Sequence, residues 1–344
     1  MESKTYMIEQ LKALTGIPSP TGMTLEAAKY VFAELQRLGF APELTRKGTV
    51  ICCLGGEGHP VLMSAHVDTL GAMVRAIKGD GRLRYTKLGG YNDNAIENEN
   101  VLIHTLEGKT YSGTVQSVKA SRHVWGDTTG DKRGDEYLEI VIDEDVSCKA
   151  DVEKLGITPG NYISFDPRMV VTESGYIKSR HLDDKASSAV LLALAKGVAE
   201  GKVKLGRKVY IVFTVYEEVG HGASSLYTLT DVEDMIAVDM GCVGSDLSCN
   251  EKQVSLCAKD SNGPYDYSFL QELVQRCKEQ DIDYVVDIYP GYGSDAGTAL
   301  RAGMEIRYAC FGQGVFASHA YERTHIKGME GTLRLLVNVA EVVK

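Results

Sequence analysis

Along the 344-residue chain the apolar positions change texture three times. Over residues 6–14 and 25–38 they recur three and four apart, the period of an amphipathic helix, and Gly39 follows the second segment where a helix stops. Between them, Ile17-Pro18-Ser19-Pro20-Thr21-Gly22 is dense in turn formers and reads as a loop. Two uninterrupted apolar runs, 49–54 and 60–65, have the length and composition of strands covered by helices on both faces.

From 74 to 171 the pattern shortens into β-like runs separated by Gly and Asp. Residues 110–118, 136–142 and 161–165 read as strands of a small barrel or sandwich, with one short helix at 147–155. After 172 strands and helices alternate: helix 185–200, strands 208–215 and 235–238, helix 265–279, strand 284–288, and a last helix at 329–343. That alternation predicts an α/β layered fold with a mostly parallel sheet. The expected organisation is one domain made of 1–73 and 172–344, with a β-rich domain, 74–171, inserted into it.

Composition narrows the function classes. The 37 basic residues against 47 acidic ones give a net charge of −10, which argues against nucleic acid or an anionic membrane as the main partner. No apolar run approaches the roughly 20 residues of a membrane span, and the first residues do not form a signal peptide, so the cytoplasm is the expected compartment. The eight cysteines lack CxxC spacing and read as reduced thiols.

The chemistry-bearing residues cluster around Arg180-His181-Leu182-Asp183-Asp184-Lys185-Ala186, at the mouth of the apolar helix. His66-Val67-Asp68 follows the strand 60–65, Glu217-Glu218 follows 208–215, Asp239 follows 235–238, and His319 lies near the end. In open α/β sheets ligands gather beyond the carboxyl ends of the strands, so these residues are expected to converge. Each has a plainer reading alone. Asp183 suits a helix first turn, where the macrodipole favours an acid. His66 and Asp68 suit a polar strand end, and Glu217-Glu218 a solvated acidic pair. His319 could be a structural histidine, with His325 as its competitor. Together they form the donor set of a divalent metal site with enough carboxylate for two ions, in which one of the adjacent glutamates binds metal and the other takes a proton from the activated water.

The ordered set His66-Val67-Asp68, Leu182-Asp183-Asp184-Lys185, Glu217-Glu218-Val219-Gly220, Val238-Asp239-Met240-Gly241, Gly293-Ser294-Asp295-Ala296 and His319 with Glu322 resembles family forty-two of the metallopeptidases. These are dinuclear zinc or cobalt aminopeptidases that include the glutamyl and tetrahedral aminopeptidases. The resemblance implies a zinc-peptidase-like layered domain interrupted by a PDZ-like β-barrel used in dimerisation and assembly. It implies that Asp183 bridges two divalent ions, one completed by His66 and Asp239, the other by Glu218 and His319. Glu217 is then the general base, Asp68 the residue that orients His66, and Tyr292, Gly293, Ser294 and Asp295 substrate-binding. The ions are expected to be zinc, with cobalt or manganese as alternatives, and the partners peptide substrates and further copies of the chain, in dimers assembling into a dodecamer. Thr69, His181, His221 and the stretch from Cys310 to Gly314 depart from the family pattern, the last in a segment expected to shape the pocket for the first substrate side chain. The expected activity is removal of N-terminal residues from peptides. A deacylase of N-acyl amino acids and a non-catalytic, metal-stabilised assembly protein are the alternatives.

Overall fold

The computed structural model describes residues 2–341 and divides into two compact units, one formed by the residues up to Asp68 with those from Arg168 onward, the other by Thr69–Pro167. The borders differ from the sequence expectation at both ends. Residues 69–73 fall in the inserted unit because the strand Gly71–Ile77 is a barrel strand. Residues 168–171 fall in the layered unit because Val170–Val171 pairs there with Tyr176–Ser179.

The layered unit is built on a sheet of 13 strands among the described residues. At its centre Val209–Thr214, Val61–His66, Asp234–Val238 and Arg307–Phe316 lie side by side, all parallel. Val61–His66 is buried at every position, with no inward and outward alternation, as helices on both faces require. The helix Leu182–Ala199 is buried from Leu182 through Ala195 and packs against the helices Glu2–Thr15 and Ile326–Glu341 and the strand Val61–His66. A helix that is apolar on all sides belongs inside. By contrast Leu25–Arg37 buries only Ala27, Ala28, Val31, Glu34 and Leu35, the stripe that its sequence period announces. In the helix Tyr267–Glu279 the Asp266 carboxylate caps the first turn by accepting the Phe269 amide at 2.7 Å.

Among the elements not foreseen are the strands Val254–Asp260 and Arg307–Phe316 and the short helix Asp295–Arg301. Arg307–Phe316 includes the segment expected to shape the pocket for the first substrate side chain, and Phe311 to Gly314 are buried in the sheet. The glycines explain how: a Cβ at Gly312 would stand 2.2 Å from the Asp239 carbonyl oxygen, and one at Gly314 2.2 Å from that of Asn250. They permit close backbone approach where sequence reading takes glycine for a loop. The last helix runs Ile326–Glu341, and the expected continuation to residue 343 lies outside the described residues.

The inserted unit is a closed barrel rather than a sandwich, in the order Gly71–Ile77, Leu83–Leu88, Leu138–Ile142, Thr110–Ser117, Asn100–His104, Tyr162–Phe165. Val74, Leu83, Tyr85, Val101, Ile103, Val115, Ile140 and Ile163 fill it. Closure pairs the strand edges that an open sheet of this size would leave exposed. Among the described residues no helix of the chain is long and apolar enough to cross a membrane.

Candidate active site

Parallel register brings the candidate residues level. Thr214 pairs with His66, and Ala237 with Ser64, so the residues just beyond Thr214 and Val238 emerge at the edge where His66 ends its strand. Asp239 and the turn Glu217–Val219 follow directly. The fourth contributor arrives at the start of the long helix. Asp183 and Asp184 have non-helical backbone angles, so they do not occupy a regular first turn and the macrodipole does not account for them.

Asp183 lies between two imidazoles. Its Oδ1 is 3.0 Å from His66 Nε2 and its Oδ2 is 3.3 Å from His319 Nε2. His319 Nε2 is also 3.7 Å from Glu218 Oε2, and His66 Nε2 is 3.8 Å from Glu217 Oε2. Donor atoms of His66, Asp183 and Asp239 lie within 4.8 Å of one another. The His319 ring is 36 % exposed and that of His66 only 2 %, so the site opens on the His319 side.

Asp68 stands behind this group. His66 Nδ1 is 3.0 Å from the Asp68 carbonyl oxygen and 3.5 Å from its carboxylate Oδ1. The carboxylate accepts the Glu217 amide at 3.1 Å, the Glu218 amide at 3.3 Å and the Thr21 hydroxyl at 2.7 Å. It therefore ties the loop bearing the two glutamates to the end of the His66 strand, while the backbone carbonyl makes the shorter contact to the imidazole. The amide of His66 is 3.3 Å from Asp184 Oδ2, and the Ser188 hydroxyl donates to the His66 carbonyl at 3.0 Å. Lys185, buried, donates to the carbonyls of Leu14 and Ile17, each at 2.8 Å. These supporting roles of Thr21, Asp184 and Lys185 have no sequence signal, because each depends on a partner brought near only by the fold.

The electrostatics are those of crowded, buried carboxylates. Burial pushes the Glu218 carboxyl up to about 8, with the neighbouring Asp183 charge adding to it, and that of Asp239 up to about 7. Burial also raises Glu217, and Asp239, Asp295 and Glu218 raise it further against the His66 charge. For Asp183 burial acts upward too, but hydrogen bonds from His319 and His66 outweigh it and hold the group below its ordinary value. Burial disfavours a charged His66, yet Asp183 and Asp68 raise it well above the usual imidazole range. Glu218 Oε1 and Asp184 Oδ1 are buried without a hydrogen-bond partner. Buried anions in this number demand cations. The orphaned glutamate oxygen and the mixed imidazole and carboxylate donors fit divalent ions of the zinc type.

The expected substrate-binding residues fall into two groups. Tyr292 contacts the Cys310 thiol at 3.6 Å and lies near Asp239, and Gly293 is exposed beside it. Ser294 and Asp295 are turned inward. The Ser294 hydroxyl is 2.7 Å from that of Tyr265, while the Asp295 carboxylate accepts the Thr214 hydroxyl and, at 2.7 Å, the Ala223 amide. Asp295 thus has both oxygens occupied by protein, because it holds the loop after Glu218 to the helix that it begins. His325 lies apart from His319, with its ring between the Ser174 carbonyl at 2.9 Å and the Lys327 amide at 3.0 Å. His181 is buried with a left-handed backbone, φ 68°, one residue before Leu182. His221 is exposed and offers its carbonyl to Lys47, and the Thr69 hydroxyl donates to the Leu70 carbonyl at 3.0 Å.

The chain resembles known proteins over nearly its whole length. It is 43 % identical over 338 residues to a Bacillus subtilis (strain 168) protein named "Putative aminopeptidase YhfE", covering 98 % of this chain and 97 % of that one. Its fold matches aminopeptidase APDkam598 from the archaeon Desulfurococcus kamchatkensis with a TM-score of 0.88 at 21 % identity, over 99 % of this chain and 96 % of that one. It also matches the Pyrococcus horikoshii TET1 peptidase, described as assembling into a tetrahedron or a large octahedral shell, with a TM-score of 0.85 at 23 % identity over 97 % and 99 % of the two chains. The M42 glutamyl aminopeptidase model matches residues 48–335, which include every candidate residue from His66 to His319, and the chain belongs to that family.

Proposed function

We propose that this protein is a metal-dependent aminopeptidase that releases N-terminal residues from peptides, with Glu217 as general base. The observation that carries the reading is the division of Asp183 between two imidazoles, Oδ1 toward His66 and Oδ2 toward His319, with Glu217 alongside. His66, Asp183 and Asp239 would hold one divalent ion and Asp183, Glu218 and His319 a second, with zinc the first expectation and cobalt or manganese admitted by the same donors. Bound there, the pair would supply Lewis acidity and lower the pKa of water between them.

The protein's own part is positioning and proton movement. Asp68 holds the amides of Glu217 and Glu218, so the base and its neighbour move as one unit with the His66 strand. Burial gives Glu217 a greater proton affinity than an exposed glutamate, which suits a group that takes a proton from attacking water and returns it to the leaving amine. Tyr292, at the edge of this cluster, is the first candidate contact for the terminal side chain. The assemblies of the structural relatives support self-association of this chain too, for which the inserted barrel is the expected element.

The test is hydrolysis of a panel of aminoacyl chromogenic amides, each with a free and an N-acetylated amine, by protein stripped of metal and then reloaded with zinc, cobalt or manganese. Cleavage restored by metal and confined to free amines is expected. Cleavage of the acetylated set alone would make the protein a deacylase. Silence throughout with two ions bound would favour a non-catalytic role.

A further inference from the structure

Glu322 opens the strand Glu322–His325 opposite Ser179 and is 1 % exposed. Its carboxylate is divided between two backbone amides far apart in sequence: Oε2 accepts the Asp183 N–H at 3.1 Å and Oε1 accepts the His319 N–H at 2.9 Å. We propose that Glu322 is a positioning residue that sets the bridging carboxylate and His319 against one another and so preforms the half of the site made by Asp183 Oδ2, Glu218 and His319.

Three observations support this. One buried carboxyl group whose two oxygens each accept an amide N–H fixes the distance between those amides. Both amides belong to turns that a non-glycine backbone adopts at a cost: His181, two residues before Asp183, has φ 68°, and Ala317 and His319 have φ 57° and 64°. Such turns persist where other contacts over-determine them, and Glu322 contacts both. Finally, the His319 ring is 36 % exposed, so packing constrains it less than the buried His66, and its position depends more on the backbone that Glu322 holds.

The inference rests on the metal reading proposed above, and its test separates the two. Zinc stoichiometry and affinity are measured by chelator competition for wild type and Glu322→Gln, with melting of the metal-free proteins recorded alongside. Glutamine keeps the shape but turns an NH2 group toward one of the two amides. One of the two ions is expected to bind about 10- to 100-fold more weakly and the other as in wild type, a selective loss beyond any lowering of metal-free melting that the lost amide bond brings. If Glu322→Gln does not fold, Glu322→Asp, which keeps the carboxyl group and shortens the reach, is expected to show the same selective weakening. Two ions bound as tightly as in wild type, or lower metal-free stability with unaltered affinities, would overturn the role of Glu322. Wild-type protein that takes up no zinc would instead overturn the metal reading itself.

Discussion

The residue with the sharpest expected effect is Glu217. Glu217→Gln preserves its volume and the amide that donates to Asp68, and removes only the proton acceptor. Turnover should fall by a factor of about 10² to 10⁴, the usual contribution of a general base, with metal content by atomic emission unchanged. Near-normal turnover would remove Glu217 from the mechanism. Asp183→Ala is expected to act differently, because the lost side chain faces both imidazoles. Both ions should be lost together, and a variant retaining its full complement would place the bridge elsewhere.

Between elements, buried polar links join strands that are remote in sequence. Arg207, just before Val209–Thr214, donates to Asp234 Oδ2 at 2.8 Å and to the His59 carbonyl at 2.7 Å, while Arg307 donates to the same aspartate at 2.8 and 2.9 Å. Both Arg207 and Asp234 are buried. Arg207→Met leaves Asp234 paired with Arg307 but the His59 carbonyl without its donor, and should destabilise the protein by about 1 to 3 kcal/mol, read as a lower urea midpoint, although the substitution lies at the sheet edge opposite the site. In the barrel, His104 at the end of Asn100–His104 lies 2.8 Å from the Ser164 hydroxyl, and burial lowers its proton affinity below that of an ordinary imidazole, whose pKa is about 6.5. The unfolded chain therefore takes up this proton more readily than the folded one. The contribution of a neutral His104 is complete above about pH 6.5 and declines as the pH falls from there toward the folded pKa. His104→Gln should flatten that part of the stability curve, and an unchanged slope from urea melts at pH 5 and 7 would contradict it.

For the whole molecule the expectation is assembly. Sedimentation velocity should give a mass that is a multiple of the 37.5 kDa chain, and a protomer persisting across micromolar concentrations would contradict it. The architecture into which the site is set was largely legible from pattern. The period of 25–38, the uninterrupted runs 49–54 and 60–65, and the later alternation of strands and helices all correspond to observed elements. Each depends on which face of a local segment must be dry, which is written in neighbouring residues. Arg307–Phe316 was not legible as a strand, because Gly312 and Gly314 serve contacts with Asp239 and Asn250 that only the fold creates.

The same division applies to the site. Residue type and placement after apolar strands were enough to nominate His66, Glu217, Glu218 and Asp239, since carboxylates and imidazoles at the ends of buried strands need a reason to be there, whereas Asp183 was read at a helix mouth and His319 drew its weight from the ordered set. They were not enough to say what Asp68, Asp295 or Glu322 does. All three are acids beside the nominated residues, yet in the structure Asp68 and Glu322 hold backbone amides of the cluster and Asp295 fastens a loop. Apart from the His319 amide, three positions before Glu322, these hydrogen-bond partners lie 72 to 150 positions apart in the chain and leave no trace in local pattern. Which acids face a cation and which face an amide is set by tertiary distance, because a carboxylate is chemically suited to both.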